Sequence, residues 1–304
     1  MTKNIMNKSL WQKPQPLQKG DTLIAIAPSG TLRTPERLEK GLEVWRNRGF
    51  NVILQENYND RDGYLAGDDR TRRQALKQAW ENPEYKAILC VRGGYGATRL
   101  LEDWQWTDIQ SPKWLIGFSD ITALLWSLYS QNIVSLQAPV LTTIAGEPDW
   151  SLNRLFNYLE GKSIAPLEGK GWGNGKATGR LLPGNLTVAT SILNTPIVPD
   201  LEDVILAFED VSEAPYRIDR MLTQWRSSSH FDRIKGIALG RFSASEVSPS
   251  IPSWTVEEVL LDRLQDLSIP IVSDLPFGHD GVNACLPVGE KVLIDGDNGR
   301  LQLI

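Results

Sequence analysis

The hydrophobic positions of this chain switch period repeatedly through its first half. Short apolar runs at Thr22–Ala27, Asn51–Leu54, Lys86–Val91 and Ile133–Leu136 read as strands, as does the run that opens at Trp114 and stops at Gly117-Phe118-Ser119-Asp120. Between them the period becomes helical. Thr34-Pro35 caps and starts a helix with Leu38, Leu42 and Trp45 on one face, closed by Gly49. Asp69–Trp80 is a charged helix, Gly93-Gly94-Tyr95-Gly96 leads into a helix through Leu101, and Ile121, Leu124, Leu125 and Leu128 form one face of an amphipathic helix. Repeated β-then-α units predict a parallel sheet covered on both faces, a Rossmann- or flavodoxin-like α/β domain. Ligands of such sheets bind at the carboxyl ends of the strands, where Ser29, Gly93-Gly94 and Ser119 all fall.

The pattern weakens after Glu147. A helix at Leu152–Leu159 precedes a glycine-rich stretch, and Gly161–Gly175 reads as an interdomain connection. Beyond it, Val204–Phe208 and Gly236–Leu239 look like buried strands, and Pro215–Trp225 is a helix with Ile218, Met221, Leu222 and Trp225 on one face. Thr255-x-x-Glu258 opens another helix as a capping box, and short strands and turns dominate from Ile269. The expected division is an arm at 1–20, an α/β domain at 21–160, a linker at 161–175 and a smaller mixed α/β domain at 176–304.

A length of 304 residues suits two domains, and 41% hydrophobic with 23% charged residues is ordinary for a soluble globular protein. A net charge of −5 with no basic stripe argues against nucleic acid as the main partner. No apolar run approaches the roughly 18 residues of a membrane span. The stretch from Met1 to Gly20 is polar and lacks the apolar core of a secretory signal, so it reads as a loose arm on a cytoplasmic enzyme. Cys90 and Cys285 sit in apolar contexts without metal-ligand spacing, which predicts buried, reduced thiols. Trp45, Trp80 and Trp225 are expected in the core. Trp104, Trp106 and Trp172 lie in loop-like contexts suited to packing or to stacking on a sugar or peptide.

Ser119 is the residue with most chemical potential. A hydroxyl at a tight strand-to-helix turn stands clear of the sheet, next to free N–H groups that stabilise an oxyanion. Serine is also a favoured helix N-cap, and Asp120 would suit the first turn on dipole grounds alone. Only two histidines are present. His230 follows a helix end, where a structural role is expected; His279, in Gly278-His-Asp-Gly281, is held in a loop and is open to either role. Glu209, at the mouth of the strand Val204–Phe208, is the best acid to orient an imidazole, or else a solvated strand-end acid. Gly93-Gly94-Tyr95-Gly96 matches neither dinucleotide nor Walker loops and reads as a close-approach loop. No metal site or cofactor is expected, and Asp68-Asp69 and Glu202-Asp203 read as helix-start and loop charges.

Taken together, I-A-P-S-G, V-R-G-G-Y-G-A-T-R-L-L, L-I-G-F-S-D-I-T-A-L, Q-A-P-V, P-G-N-L, I-L-A-F-E-D-V-S-E-A-P-Y-R-I-D-R-M-L and P-F-G-H-D resemble the serine LD-carboxypeptidase family. That family includes murein tetrapeptide carboxypeptidases and microcin C immunity peptidases. The resemblance implies a Ser–His–Glu triad of Ser119, His279 and Glu209, with Glu213 close enough to need checking. It implies an oxyanion hole from the backbone N–H groups of Gly94 and Asp120, an interdomain active site and a homodimer. The implied reaction releases a C-terminal D-amino acid, D-Ala, from the L-residue of a murein tetrapeptide without a cofactor. Two other readings are an aminoacyl-nucleotide peptidase of the microcin type and a non-catalytic murein-peptide binding protein. The first tends to carry a longer insertion than the 90 residues separating Ser119 from Glu209; the second should lack a triad residue.

Overall fold

The computed structural model describes residues 10–107, 110–245 and 252–304. Two sheets share the chain. The first is built from β1 (Thr22–Ile26), β2 (Asn51–Leu54), β3 (Tyr85–Cys90), β4 (Trp114–Gly117) and β5 (Ser135–Gln137), all parallel. Both faces of β1 are buried: Ile24 and Ile26 enter one core, Leu23 and Ala25 another, as expected of a strand covered on two sides. The covering helices are α1 (Pro35–Asn47), α2 (Asp69–Glu81), α3 (Ala97–Leu100), α4 (Thr122–Tyr129), α5 (Leu141–Ile144) and α6 (Asp149–Leu159). Thr34 stands at the N-cap of α1 without a capping hydrogen bond; Pro35 in the first turn starts the helix.

The second sheet has a parallel centre. It comprises β8 (Lys176–Asn185), β9 (Val204–Val211), β10 (Gly236–Ser243) and β11 (Ile271–Ser273). The antiparallel β13 (Lys291–Asp295) and β14 (Arg300–Leu303) extend it past β8. Its helices are α7 (Leu186–Ser191), α8 (Pro215–Ser227) and α9 (Val256–Leu264), the last opened by the expected Thr255–Glu258 capping box. The architecture is therefore a parallel α/β layer joined to a mixed α/β layer.

Four features depart from the sequence reading. The stretch expected as a linker supplies both edges of the second sheet, as β6 (Leu167–Glu168) beside β14 and β7 (Lys170–Gly171) beside β11. Residues 286–288, from the far end of the chain, form β12 (Leu286–Val288), antiparallel to β5 at the edge of the first sheet. The arm is not loose from Trp11 onward. Gln12 bridges to Ile133, Leu17 is buried, and Gln15 accepts a hydrogen bond from the Trp114 indole at 2.9 Å; residues 1–9 lie outside the described residues. Finally, α4 is not amphipathic. Leu124, Leu125, Trp126 and Leu128 are all fully buried, because the helix lies between the sheets. Its Trp126 donates to Pro183 O at 2.8 Å and its Thr122 hydroxyl accepts from Asn185 N at 3.0 Å, both on β8.

Candidate active site

The strand β4 ends at Gly117, and the chain turns through Ser119 into a short 3₁₀ segment (Ser119–Ile121) ahead of α4. Ser119 adopts φ +65°, the left-handed region that costs a non-glycine residue about 1–2 kcal/mol. Backbone strain of this kind is held in place only by its surroundings. The residue at the cap position is Phe118, and no side-chain capping bond is made there. Ser119 Oγ instead lies 3.0 Å from His279 Nε2.

His279 comes from the opposite half of the chain, in the loop between β11 and β12. Its Nδ1 lies 2.6 Å from Glu209 Oε2. With Nδ1–H donating to the carboxylate, Nε2 keeps its lone pair for the serine O–H. The imidazole packs on the Phe118 ring at 4.8 Å between centroids, so the residue before the serine also holds the ring in place.

Glu209 is inside β9, which runs three residues further than its apolar run suggests, to Val211. Its side chain is completely buried and is not a solvated strand-end acid. Asn185, the last residue of β8, pairs in register with Glu209 and donates Nδ2–H to Glu209 Oε1 (3.3 Å) and Asp210 Oδ1 (3.1 Å). Asp210 also accepts from Thr187 N and Oγ1, each at 2.8 Å, which satisfies a second buried acid. Glu213 faces away and pairs with Arg217 at 3.4 Å.

Burial pushes the Glu209 carboxyl above its ordinary range, and the bond to His279 pulls it back. For His279 burial acts downward. The hydrogen bond and charge of Glu209, helped by Asp210 and Asp280, outweigh it and carry the imidazole above 6.5.

The glycine loop closes the other side. A Cβ on Gly93 would stand 2.8 Å from Ser119 Cβ, so the loop backbone lies against the hydroxyl. Asp120, next to the serine, turns its buried side chain the other way. It accepts from the Ser29 hydroxyl and from Ala97 N at 2.8 Å, tying the ends of β1, β3 and β4 together. Burial raises its carboxyl above the usual range. Arg72, fully buried, braces the same region by donating to Pro28 O at 2.6 Å and Gly96 O at 2.9 Å.

A cavity of about 390 Å³ opens beside His279, with Arg37, Lys40, Phe118, Glu147 and Asn283 on its walls. Larger depressions near Lys113 and near Trp254 do not border the Ser119–His279 pair. No group of three His, Cys, Asp or Glu side chains suited to a metal occurs among the described residues. No helix among them is long and apolar enough to cross a membrane.

Two family models now account for both halves: the LD-carboxypeptidase N-terminal domain matches residues 24–138, and the C-terminal domain matches residues 178–294. The chain belongs to the LD-carboxypeptidase family. A Synechocystis protein carrying a provisional carboxypeptidase name is 58% identical over 96% of this chain and 97% of its own. A structure of the muramoyltetrapeptide carboxypeptidase from Oxalobacter formigenes superposes with a TM-score of 0.83 at 30% identity, covering 93% of this chain and 97% of the other. A structure of MccF in complex with glutamyl sulfamoyl guanosine shares the fold, with a TM-score of 0.84 at 23% identity over 95% and 97% of the two chains.

His230 packs edge-on against Trp225 at 5.7 Å, and burial lowers its pKa. Trp45, Trp80 and Trp225 are core residues. Trp104 and Trp106 pack on each other at 5.1 Å, and Trp172 donates to Ser273 at 3.0 Å; all three are half-buried packing residues. Both cysteines are buried and free of disulfides. Asp68 caps α2, and Asp69 pairs with Arg72 and Arg99. Asn185, Asp210, Phe118 and the side chain of Asp120 are the site residues that sequence reasoning missed. All four lie within the quoted motifs P-G-N-L, F-E-D and G-F-S-D, which name the segments without giving these side chains their roles.

Proposed function

We propose that the protein is a serine carboxypeptidase that hydrolyses the bond between an L-residue and a C-terminal D-Ala in murein tetrapeptides, a step of peptidoglycan recycling. The observation that carries this reading is the unbroken hydrogen-bonded line Ser119–His279–Glu209, at 3.0 and 2.6 Å, drawn from both halves of the chain. Ser119 Oγ attacks the carbonyl carbon of the L-residue while His279 Nε2 takes its proton. Glu209 holds the imidazole in the required tautomer and offsets its positive charge. The tetrahedral oxyanion is assigned to the backbone N–H groups of Gly94 and Asp120, beside the serine. His279 then gives the proton to the departing amine, and free D-Ala leaves. Water, deprotonated by the same imidazole, releases the tripeptide from the serine ester and restores Ser119.

Support for murein peptide over other substrates comes from the 30% identity to the Oxalobacter enzyme. A second reading, hydrolysis of an aminoacyl-nucleotide, draws on the MccF structure and its glutamyl sulfamoyl guanosine ligand. The 90-residue spacing from Ser119 to Glu209 favours the first. A pure binding protein is disfavoured, since all three groups are present and in contact. The resemblance adds a cytoplasmic setting and a homodimer, the latter testable by sedimentation. Mass spectrometry of a purified tetrapeptide incubated with the protein should show loss of one D-Ala. An intact tetrapeptide, with cleavage of an aminoacyl sulfamoyl nucleoside instead, would favour the second reading.

A further inference from the structure

A carboxypeptidase must recognise a free terminal carboxylate, and the triad residues offer nothing that would. The cavity beside His279 does. Arg37 and Lys40 are three residues apart on α1, hence on one face, and both line it. Neither side chain has an ion-pair or hydrogen-bond partner among the described residues; every basic partner of an acid there is another Lys, Arg or His. Their position is fixed by backbone rather than by side-chain chance. At Gly41, α1 approaches α5 so closely that a Cβ would lie 1.9 Å from Leu141 O.

Another lining residue supplies the second observation. Asn283 is only 3% exposed, and its Oδ1 accepts from Gly278 N at 3.2 Å, which orients the amide next to His279. Its Nδ2 is buried with no acceptor. An unpaired buried donor is costly, about 1–3 kcal/mol, unless something else satisfies it. Glu147, the one acid on the wall, is already turned to Asn283 N (3.2 and 3.1 Å) and to the Ser151 hydroxyl at 2.7 Å.

We propose that this cavity is the subsite of the departing residue, and that Arg37, Lys40 and Asn283 Nδ2 receive its free α-carboxylate. The assignment rests on the carboxypeptidase reading given above. His279 protonates the leaving amine, so that nitrogen must lie at the imidazole. The α-carboxylate is one carbon further on, and the cavity with His279 in its wall is where it has to go. Two cations and an amide donor against a single, already satisfied acid suit an α-carboxylate and disfavour a blocked terminus.

The test compares a tetrapeptide ending in D-Ala with the same peptide ending in D-alaninamide. The native enzyme should prefer the acid about tenfold or more in kcat/KM, and added salt should erode that preference by raising KM for the acid. Arg37→Gln with Lys40→Gln, at two exposed positions, should bring the acid down toward the amide. Asn283→Asp, which keeps the Gly278 acceptor but sets a negative oxygen toward the carboxylate, should do the same. Equal cleavage of acid and amide by the native enzyme, or an equal loss on both in the double variant, overturns the subsite. Failure to cleave either peptide overturns the functional reading instead. Calorimetric affinities of Ser119→Ala for acid and amide then judge the subsite alone: a preference for the acid that the double substitution removes supports it, and equal affinities overturn it.

Discussion

Gly93 faces Ser119 across a gap that admits no side chain: a Cβ there would stand 2.8 Å from the serine Cβ and 2.9 Å from its Oγ. Gly93→Ala must therefore displace the hydroxyl or the loop. A shift of about 1 Å at a reacting atom costs on the order of 10²-fold in rate. The expected outcome is a kcat lowered by that order in a protein whose circular dichroism is unchanged. A kcat within a few-fold of native would mean that the loop gives way without consequence.

Ser119→Ala removes the proposed nucleophile and no cap, since Phe118 holds the cap position. Turnover should vanish while the melting temperature stays within a few degrees and peptide still binds. Ser119→Gly should be as inactive yet melt no lower than the alanine variant, because glycine relieves the strain of φ +65°. Retained turnover in either variant would remove the serine mechanism; a glycine variant much less stable than alanine would remove the strain argument.

Glu209 and Glu213 are four residues apart, and only the first touches His279. Glu209→Gln keeps the shape but not the charge and should cost roughly 10²–10⁴-fold in kcat. Glu213→Gln loses only an exposed pair with Arg217 and should stay within about threefold of native. Steady-state kinetics of the two variants decide the matter, and the reverse ranking would reassign the acid.

The pH profile follows from the same pair. In the proposed mechanism His279 must be neutral to accept the serine proton, and Glu209 raises its pKa above 6.5. The acid limb of kcat/KM should therefore be centred above pH 6.5, with activity falling as pH falls through it. In Glu209→Gln the raising charge is gone while burial remains, so the residual activity should show a limb shifted to lower pH. An unshifted limb would mean that another group sets it.

The site was readable in the sequence where its parts sit at strand ends and interrupt a strong period. Ser119 after β4 and the glycine loop after β3 stand out because Trp114–Gly117 and Ala87–Cys90 are continuous apolar runs. Glu209 looked like the end of β9 because acids rarely occur inside buried strands; the Asn185 and His279 bonds that make it tolerable come from distant segments. The ten-residue β8 was missed altogether. Its Gly179, Pro183 and Gly184 interrupt the apolar pattern that marks a strand. Proline is accommodated because β13 pairs only with Lys176–Arg180, leaving Pro183 ladder-bound to β9 alone. With β8 went Asn185, and the two edge strands within 161–175 went unseen for a related reason: two-residue strands carry no period to detect.

The placement of β12 bears on how the molecule comes into being. Five of the six strands of the first sheet are complete by Gln137, but the outer edge of β5 is paired only by Leu286–Val288. During synthesis that edge stays bare while some 150 further residues are added, and a bare sheet edge invites pairing with another chain. His279 precedes β12 by only a few residues, so the strand that seals the edge and the imidazole that faces Ser119 arrive together. Completion of the first sheet and assembly of the Ser119–His279 contact thus both wait on the same C-terminal segment.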